Sequence, residues 1–430
     1  MSARFRAYCL LASAAVALSG LSVVAGIPEP TIPAGVGVNI HFVTGHEKDL
    51  DLIAAAGFKF IRMDFGWGGI ERKRGEYNWA GYDELLANLE KRGLRALFIL
   101  DYSNSLYEET VTSKDPITGE MREHTSSPQH PESVAAFARW ATAAAAHYRG
   151  RDVLWEIWNE PNIHFWEPKP DVQQYITLAL ATCRAMRAED PKATIVAPAT
   201  SGFPWDFLET FFAAGALEFL DGVSVHPYRD YRQGPETAAK DYGRLRELID
   251  RYAPAEKKGR LPILSGEWGY ATHDKGVSLE TQAAFAVRQQ LSNLLYRVPL
   301  SIWYDWKDDG SDKTEREHNF GTVTHDLLPK PAYEAIKVLT RELSGYRVAE
   351  RLPLPDQGEY MLICTNAAGA KKLVAWTTAQ PRASKLRIAA SGAKTLEAVS
   401  GKGAPFRAAI IDGQLPLELE ALPKYLTLDD

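Results

Sequence analysis

Two short stretches hold the residues best suited to chemistry. One is Trp155-Glu156-Ile157-Trp158-Asn159-Glu160-Pro161. The other is Ile263-Leu264-Ser265-Gly266-Glu267-Trp268-Gly269. Each closes an apolar, strand-like run on a carboxylate. The period of two along a strand puts Glu156, Trp158 and Glu160 on one side of the first run, and Ile263, Ser265 and Glu267 on one side of the second. Pro161 cannot continue a ladder, so the first strand ends just past Glu160. Two carboxyls brought close together split their ionisation, because the negative one raises the pKa of its neighbour. One can then protonate a leaving oxygen while the other attacks carbon, the division of labour that cleaves a glycosidic bond. A single glutamate at a strand end is ordinarily a solvated carboxylate or an ion-pair partner. Two such residues, one of them in an Asn-Glu-Pro context, favour the catalytic reading.

The rest of the chain reads as the frame that positions this pair. Candidate strands are Gly35–Phe42, Phe60–Phe65, Arg95–Asp101, Val153–Asn159, Thr194–Pro198, Gly222–His226, Pro262–Glu267 and Ser301–Asp305. Helical periodicity lies between or after them, at Lys48–Ala56, Tyr82–Lys91, Pro131–Tyr148, Asp171–Glu189, Trp205–Ala214, Lys240–Tyr252, Leu279–Tyr296 and Ala332–Leu343. Eight strand–helix units predict an α/β fold, a (β/α)8 TIM barrel over residues 34–344. An open doubly wound sheet would need a glycine-rich phosphate turn after the first strand, and Gly35-Val36-Gly37-Val38-Asn39 does not complete one. Strands 4 and 7 face each other across such a barrel, so Glu160 and Glu267 converge over its C-terminal mouth. The long polar connection from Ser103 to His130 follows strand 3 and reads as part of a cleft wall on that face. Residues 345–430 change pattern. Short strands at Glu359–Thr365, Lys372–Thr377, Lys385–Ile388, Thr395–Val399, Ala408–Ile411 and Tyr425–Leu428 predict a small antiparallel, sandwich-like β-domain. Only Trp376 stands out there as a sugar-stacking candidate, so this domain reads as a structural appendage.

Asn159-Glu160-Pro161 with Glu267 resembles the paired signature of the clan A retaining glycoside hydrolases, over about residues 35 to 345. Within the clan the chain is similar to family 39, especially to secreted endoglycosidases of exopolysaccharide pathways. Ile302-Trp303-Tyr304-Asp305-Trp306-Lys307-Asp308-Asp309-Gly310 and Glu317-His318-Asn319-Phe320-Gly321 carry that likeness. The resemblance implies Glu160 as acid/base, Glu267 as nucleophile and Asn159 holding the sugar 2-hydroxyl. It also implies Tyr228 donating to the nucleophile and His226 lining the −1 subsite. It favours endo action on an exopolysaccharide. An exo-acting β-xylosidase-like enzyme, a transglycosidase using the same residues and a non-catalytic glycan-binding barrel are the alternatives. Arg62 shares a side of strand 2 with Asp64 and is placed either to keep Glu267 ionised or to pair with Glu156 or Asp64. Trp303 is a candidate platform beneath the −1 sugar, and Asn39 and His41 end the first strand where substrate would lie. Asp305, Asp308 and Asp309 read as a solvated loop in preference to a metal or basic-sugar site.

Composition bounds the remaining possibilities. The 430 residues are 45% hydrophobic and 24% charged with a net charge of −6, which fits a globular protein with a large core. No Lys/Arg run tracks phosphates, so nucleic acid is not an expected partner; the expected one is a polysaccharide or oligosaccharide, met by a monomer. Arg4 and Arg6 precede an apolar stretch from Tyr8 to Ala25 that ends in small residues. Residues 1–25 therefore read as a signal peptide, the product as periplasmic or secreted, and no membrane span is expected after cleavage. Cleavage leaves Cys183 and Cys364, read as unpaired buried thiols in preference to a single disulfide. No Cys/His cluster has zinc-ligand spacing, and there is no P-loop, no complete Gly-x-Ser-x-Gly elbow and no His-Glu-x-x-His helix. Neither a cofactor nor a metal is expected.

Overall fold

The computed structural model describes residues 26–114, 119, 121–387 and 394–428. The leader read at residues 1–25 and the strand end at Ile388 lie outside the described residues. Eight parallel strands close a barrel: β1 (Val36–Asn39), β2 (Phe60–Gly66), β3 (Arg95–Asp101), β4 (Leu154–Ile157), β5 (Thr194–Ser201), β6 (Gly222–His226), β7 (Ile263–Trp268) and β8 (Ser301–Trp303). Each pairs with its sequence neighbours and β1 pairs with β8, as the strand–helix alternation predicts. Helices α1 (Glu47–Ala55), α2 (Ala80–Glu90), α3 (Pro131–His147), α4 (Val172–Glu189), α5 (Trp205–Ala213), α6 (Ala239–Tyr252), α7 (Leu279–Leu295) and α8 (Pro331–Glu342) alternate with the strands. Local chemistry sets their starts. Pro131 and Pro331 occupy first-turn positions where no N–H is needed. Asp171 lies just before α4 and accepts from the backbone N–H groups of Gln173 and Gln174.

Layers inside the barrel follow from strand alternation. Phe60, Leu97, Leu154, Val196, Leu264, Leu300 and Ile302 form an apolar plug, joined by Ile27 from the N-terminal segment. Burying each such side chain contributes about 1.5–3 kcal/mol. Two residues further along the strands the interior turns polar, with Arg62 on β2 and Glu156 on β4 almost fully enclosed. The plug therefore gives the polar layer a dry floor and leaves it open only toward the strands' C-terminal ends.

The β3 connection is more ordered than its composition predicts. A hairpin of Thr110–Lys114 and Met121–Thr125 occupies its middle. Its stem is held by buried carboxylates: Glu108 accepts from the backbone of Gln129 and His130, and Glu71 accepts from the Tyr107 hydroxyl.

Beyond the barrel, β9 (Tyr346–Arg351), β10 (Glu359–Asn366), β11 (Lys371–Thr377), β12 (Arg382–Arg387), β13 (Thr395–Val399), β14 (Pro405–Ala409), β15 (Gln414–Leu419) and β16 (Lys424–Leu428) are antiparallel. They form a six-stranded sheet ordered β9-β10-β11-β16-β13-β14 and a two-stranded β12–β15 ribbon. Sequence reading missed β9 and β15, whose alternating charged and apolar residues give a thin hydrophobic signal. One sheet face shares an apolar core with the ribbon through Met361, Leu373, Leu417 and Leu426. The other, with Tyr360, Val374, Trp376 and Tyr425, joins the barrel's core. Trp376 is fully buried, stacks on Tyr360 with ring centroids 4.8 Å apart, and donates its indole N–H to Glu236 at 2.8 Å. Glu236 is itself held by a two-pronged bond from Arg288. Trp376 is thus a joint with the barrel and presents no face to a sugar. Cys183 and Cys364 are free, buried thiols, and no helix among the described residues is long and apolar enough to cross a membrane. Trp376→Ala should remove this joint and destabilise the protein by about 3–5 kcal/mol, read as a lowered chemical-denaturation midpoint.

Candidate active site

Arg62 is the centre of the polar layer. Its Nε donates to Glu156 at 2.7 Å, one terminal nitrogen to Glu267 at 2.7 Å and Asn39 at 3.3 Å, and the other to Asn159 at 2.8 Å and His226 at 3.2 Å. All five guanidinium N–H groups are therefore used, on five side chains from β1, β4, β6 and β7 or their ends. The alternatives left open for Arg62 coexist, since it holds Glu267 and also pairs with Glu156. Burial works against its charge, but Glu156 and Glu267 outweigh that and raise its pKa. Glu156 also accepts from Ser224 on β6, so both oxygens of the buried carboxylate have donors.

Strand alternation explains Glu156 but fails beyond it. β4 ends at Ile157, and the backbone turns left-handed at Trp158 (φ 68°) and Glu160 (φ 47°). Such conformations in non-glycine residues cost about 1–3 kcal/mol each and are held by their surroundings. Here the Trp158 N–H bonds to Leu100, its ring N–H to Phe165, and the Glu160 N–H to Ala199. Trp158 consequently does not share the axial side expected for it; it is fully buried against Trp166 and Tyr102. Glu160 reaches the mouth through the turn.

The expected face of β7 also needs correction. Leu264 belongs to the axial plug, and a Cβ at Gly266 would lie 2.4 Å from Ser224 Oγ and 2.9 Å from Glu156. The even-numbered residues therefore face the axis, and Ile263 and Ser265 face outward. Strict alternation would turn Glu267 outward with them. A register shift against β8, where Ser265–Trp268 opposes Ser301–Trp303, inserts one extra residue and re-aims Glu267 at the mouth.

The pair now meets. The closest donor atoms of Glu160, His226 and Glu267 all lie within 4.8 Å of one another. Glu267 accepts from Tyr228 at 2.7 Å on one oxygen and from Arg62 on the other. This trio is the one metal-capable cluster found among the described residues, but both Glu267 oxygens already have donors and the guanidinium supplies the positive charge. Because Arg62 donates to His226 Nε2, that nitrogen is an acceptor, and the ring proton sits on Nδ1, 2.9 Å from Glu160. Burial raises the Glu160 pKa, but the His226 bond, a Ser201 hydroxyl and the Arg62 charge outweigh it and hold the carboxyl below its ordinary range. Asn159 bridges Arg62 and the Tyr102 hydroxyl, the latter at 2.9 Å.

Of the remaining expected residues, Asn39 is buried beneath Arg62, and Trp303 does not fit its role. Ile302 faces the plug, so Trp303 is turned outward, fully buried, with its ring N–H near the Phe320 carbonyl. Tyr304, one residue on, is the half-buried ring at the mouth, and it feels the Glu267 charge. Alternation counted from Ile302 would have found it. His41 lies at the rim, edge-on to Tyr304 and 3.2 Å from Asp305. Burial disfavours its charge, yet Asp305 lifts its pKa to about 9, while burial raises Asp305 to about 6. The two form an ion pair between those values. Asp308 is buried on Lys330 and the Gly321 N–H, and Asp309 is exposed, so the three aspartates form neither one solvated loop nor one site. Tyr102, Ser224 and Gly266 were not anticipated.

A closed parallel barrel with two facing carboxyls over its mouth defines the clan A glycoside hydrolases. Residues 30–309 match the cellulase family, glycosyl hydrolase family 5, and the chain belongs to that family. It is 36% identical over 212 residues to a β-xylosidase of Geobacillus stearothermophilus, covering 43% of this chain and 40% of that one. It is 26% identical over 216 residues to a β-xylosidase of Caldicellulosiruptor saccharolyticus, covering 46% and 43%. The chain thus spans about two fifths of the length of these curated relatives. In structure it resembles a family 39 glycoside hydrolase from Bacteroides cellulosilyticus WH2, with TM-score 0.78 and 24% identity over 92% of this chain and 81% of that one. It also resembles a monomeric β-xylosidase from Caulobacter crescentus CB15, with TM-score 0.66 and 18% identity over 94% and 97%. The family 39 likeness read from the sequence is met in the fold. Arg62→Met should leave Glu156 buried without its cation and destabilise the protein by about 3–5 kcal/mol, measured by thermal and chemical denaturation.

Proposed function

We propose that the protein is a secreted, retaining glycoside hydrolase that cuts within a bacterial exopolysaccharide. The observation that carries the mechanism is the approach of the Glu160 and Glu267 oxygens to within 4.8 Å. Direct attack by one carboxylate needs a separation of about 5–5.5 Å, whereas an interposed water needs about 6.5–9.5 Å. Glu267, paired with Arg62 and aimed by Tyr228, attacks the anomeric carbon. Glu160 protonates the departing oxygen. It then takes a proton from water, which displaces Glu267 and restores the original configuration. Asn159 holds the 2-hydroxyl beside the nucleophile, with Arg62 and Tyr102 fixing its amide. Because His226 favours ionised Glu160, the acid form needed for the first step is the scarcer one at neutral pH. The second step uses the ionised form directly.

Two cavities support endo action. One of about 520 Å³ lies on the Glu160 side, lined by Tyr102, His164 and Phe165, and receives the leaving-group end. Another of about 210 Å³, lined by His41, Phe42 and Asp305, lies toward β1 and β8. A chain crossing the mouth would use both cavities, one beside β3 and β4 and the other beside β1 and β8. The names of the curated relatives favour a second reading, exo-acting β-xylosidase action. Products from an end-labelled polysaccharide separate the two: internal cuts give a ladder of lengths, end cuts a single monosaccharide. Export is supported by the basic start and apolar run before Ala25.

Glu267→Gln should abolish nearly all turnover. Glu160→Gln should lower it about 10²–10⁴-fold on poor leaving groups and less on activated aryl glycosides, with circular dichroism unchanged in both. Proton NMR of the first product should show the configuration of the substrate. The alkaline limb of kcat/KM should reflect deprotonation of Glu160. His226→Ala removes the donor that favours the charged form, so this limb should move to higher pH.

A further inference from the structure

Asp101, at the end of β3, is fully buried and takes no part in the mechanism above. No N–H or O–H among the described residues reaches either of its oxygens. Arg62 is the nearby cation, but its five N–H groups are already committed elsewhere. An ionised carboxylate in this position would be a buried charge with no compensating donor, which costs several kcal/mol. Asp64 of β2 lies within hydrogen-bonding range. The other ionisable groups around the two are Arg62 from β2, Glu156 from β4, Tyr82 from α2, Tyr102 next along the chain, and His41 at the rim.

We propose that Asp101 is a neutral carboxylic acid that donates its proton to Asp64, and that this bond fixes Asp64 as an acceptor for sugar hydroxyls at the mouth. Burial and the neighbouring Asp64 charge push the Asp101 carboxyl well up, in agreement with this donor count. Asp64 is half-buried on the axial side of β2, one step nearer the mouth than Arg62, and its charge reaches His41. Its carboxylate has about four acceptor positions, of which Asp101 takes one. Asp101 is therefore a positioning residue. The hydroxyl-binding half of this assignment rests on the proposed glycosidase activity; the shared proton does not.

The test uses the full chain with D101N, D101L and D64N/D101N. At pH 7, native capillary electrophoresis should show D101N with the wild-type net charge and the double variant with one negative charge fewer, not two. Loss of a full negative charge in D101N would overturn the neutral acid. With a cleaved oligosaccharide, D101N still donates to Asp64 and should keep kcat and KM within about twofold. D101L fills the space without donating and should raise KM about tenfold or more while changing kcat less. Unchanged KM in D101L would overturn the hydroxyl-binding role, because packing alone would then suffice. If D101L fails to fold, a tenfold rise in KM for D101N overturns it instead. The electrophoretic result stands even if no glycan is cleaved.

Discussion

The site depends on a single guanidinium. Arg62 ties strand ends that would otherwise bring mutually repelling carboxylates together, and it does so where water cannot help. Its positive charge sits between Glu156 and Glu267 and offsets their mutual repulsion within one small volume. Its planarity also fixes their directions, because each N–H points at one acceptor. The His226 tautomer, the Asn159 amide and the aim of the nucleophile all follow from where those five bonds go. The plug of Phe60, Leu97, Leu154 and Leu264 below keeps that network dry and so keeps its bonds strong.

Much of this was legible in the residues. Helix and strand periods differ enough that eight units could be counted, and the observed helices begin and end within about two residues of the sequence reading. Glu160, Glu267, Arg62, Asn159, His226 and Tyr228 were each named from strand-end position and resemblance, and the fold brings them together. What escaped were departures from the regular strand. Alternation is a rule about extended backbone. The left-handed residues at 158 and 160 and the register shift before Trp268 suspend it locally. Trp303 reads as the mouth ring in sequence because a large aromatic in a strand looks alike on either face; the plug residue Ile302 decides the side.

The tail shows a related limit. An isolated tryptophan in a small β-domain resembles a sugar platform in sequence, and only the partner surface tells otherwise. Glu236 and Arg288 come from the barrel and offer Trp376 a hydrogen bond in a place closed to solvent. The two parts share one apolar interface through Tyr360, Val374 and Tyr425.

The extra residue in β7 means that the reactive carboxylate is kept in phase by an irregularity that the barrel itself does not require. Gly266 and Glu267 together stand opposite the single residue Ile302, and loss of Glu267 alone would leave an uninterrupted ladder with β8. Gly266 would then fill that place alone, and no carboxylate would reach the mouth from β7. A chain of this kind could therefore keep its architecture and most of its sequence likeness to hydrolases while becoming chemically silent, and a one-residue gap at this place would be the mark to look for among its relatives.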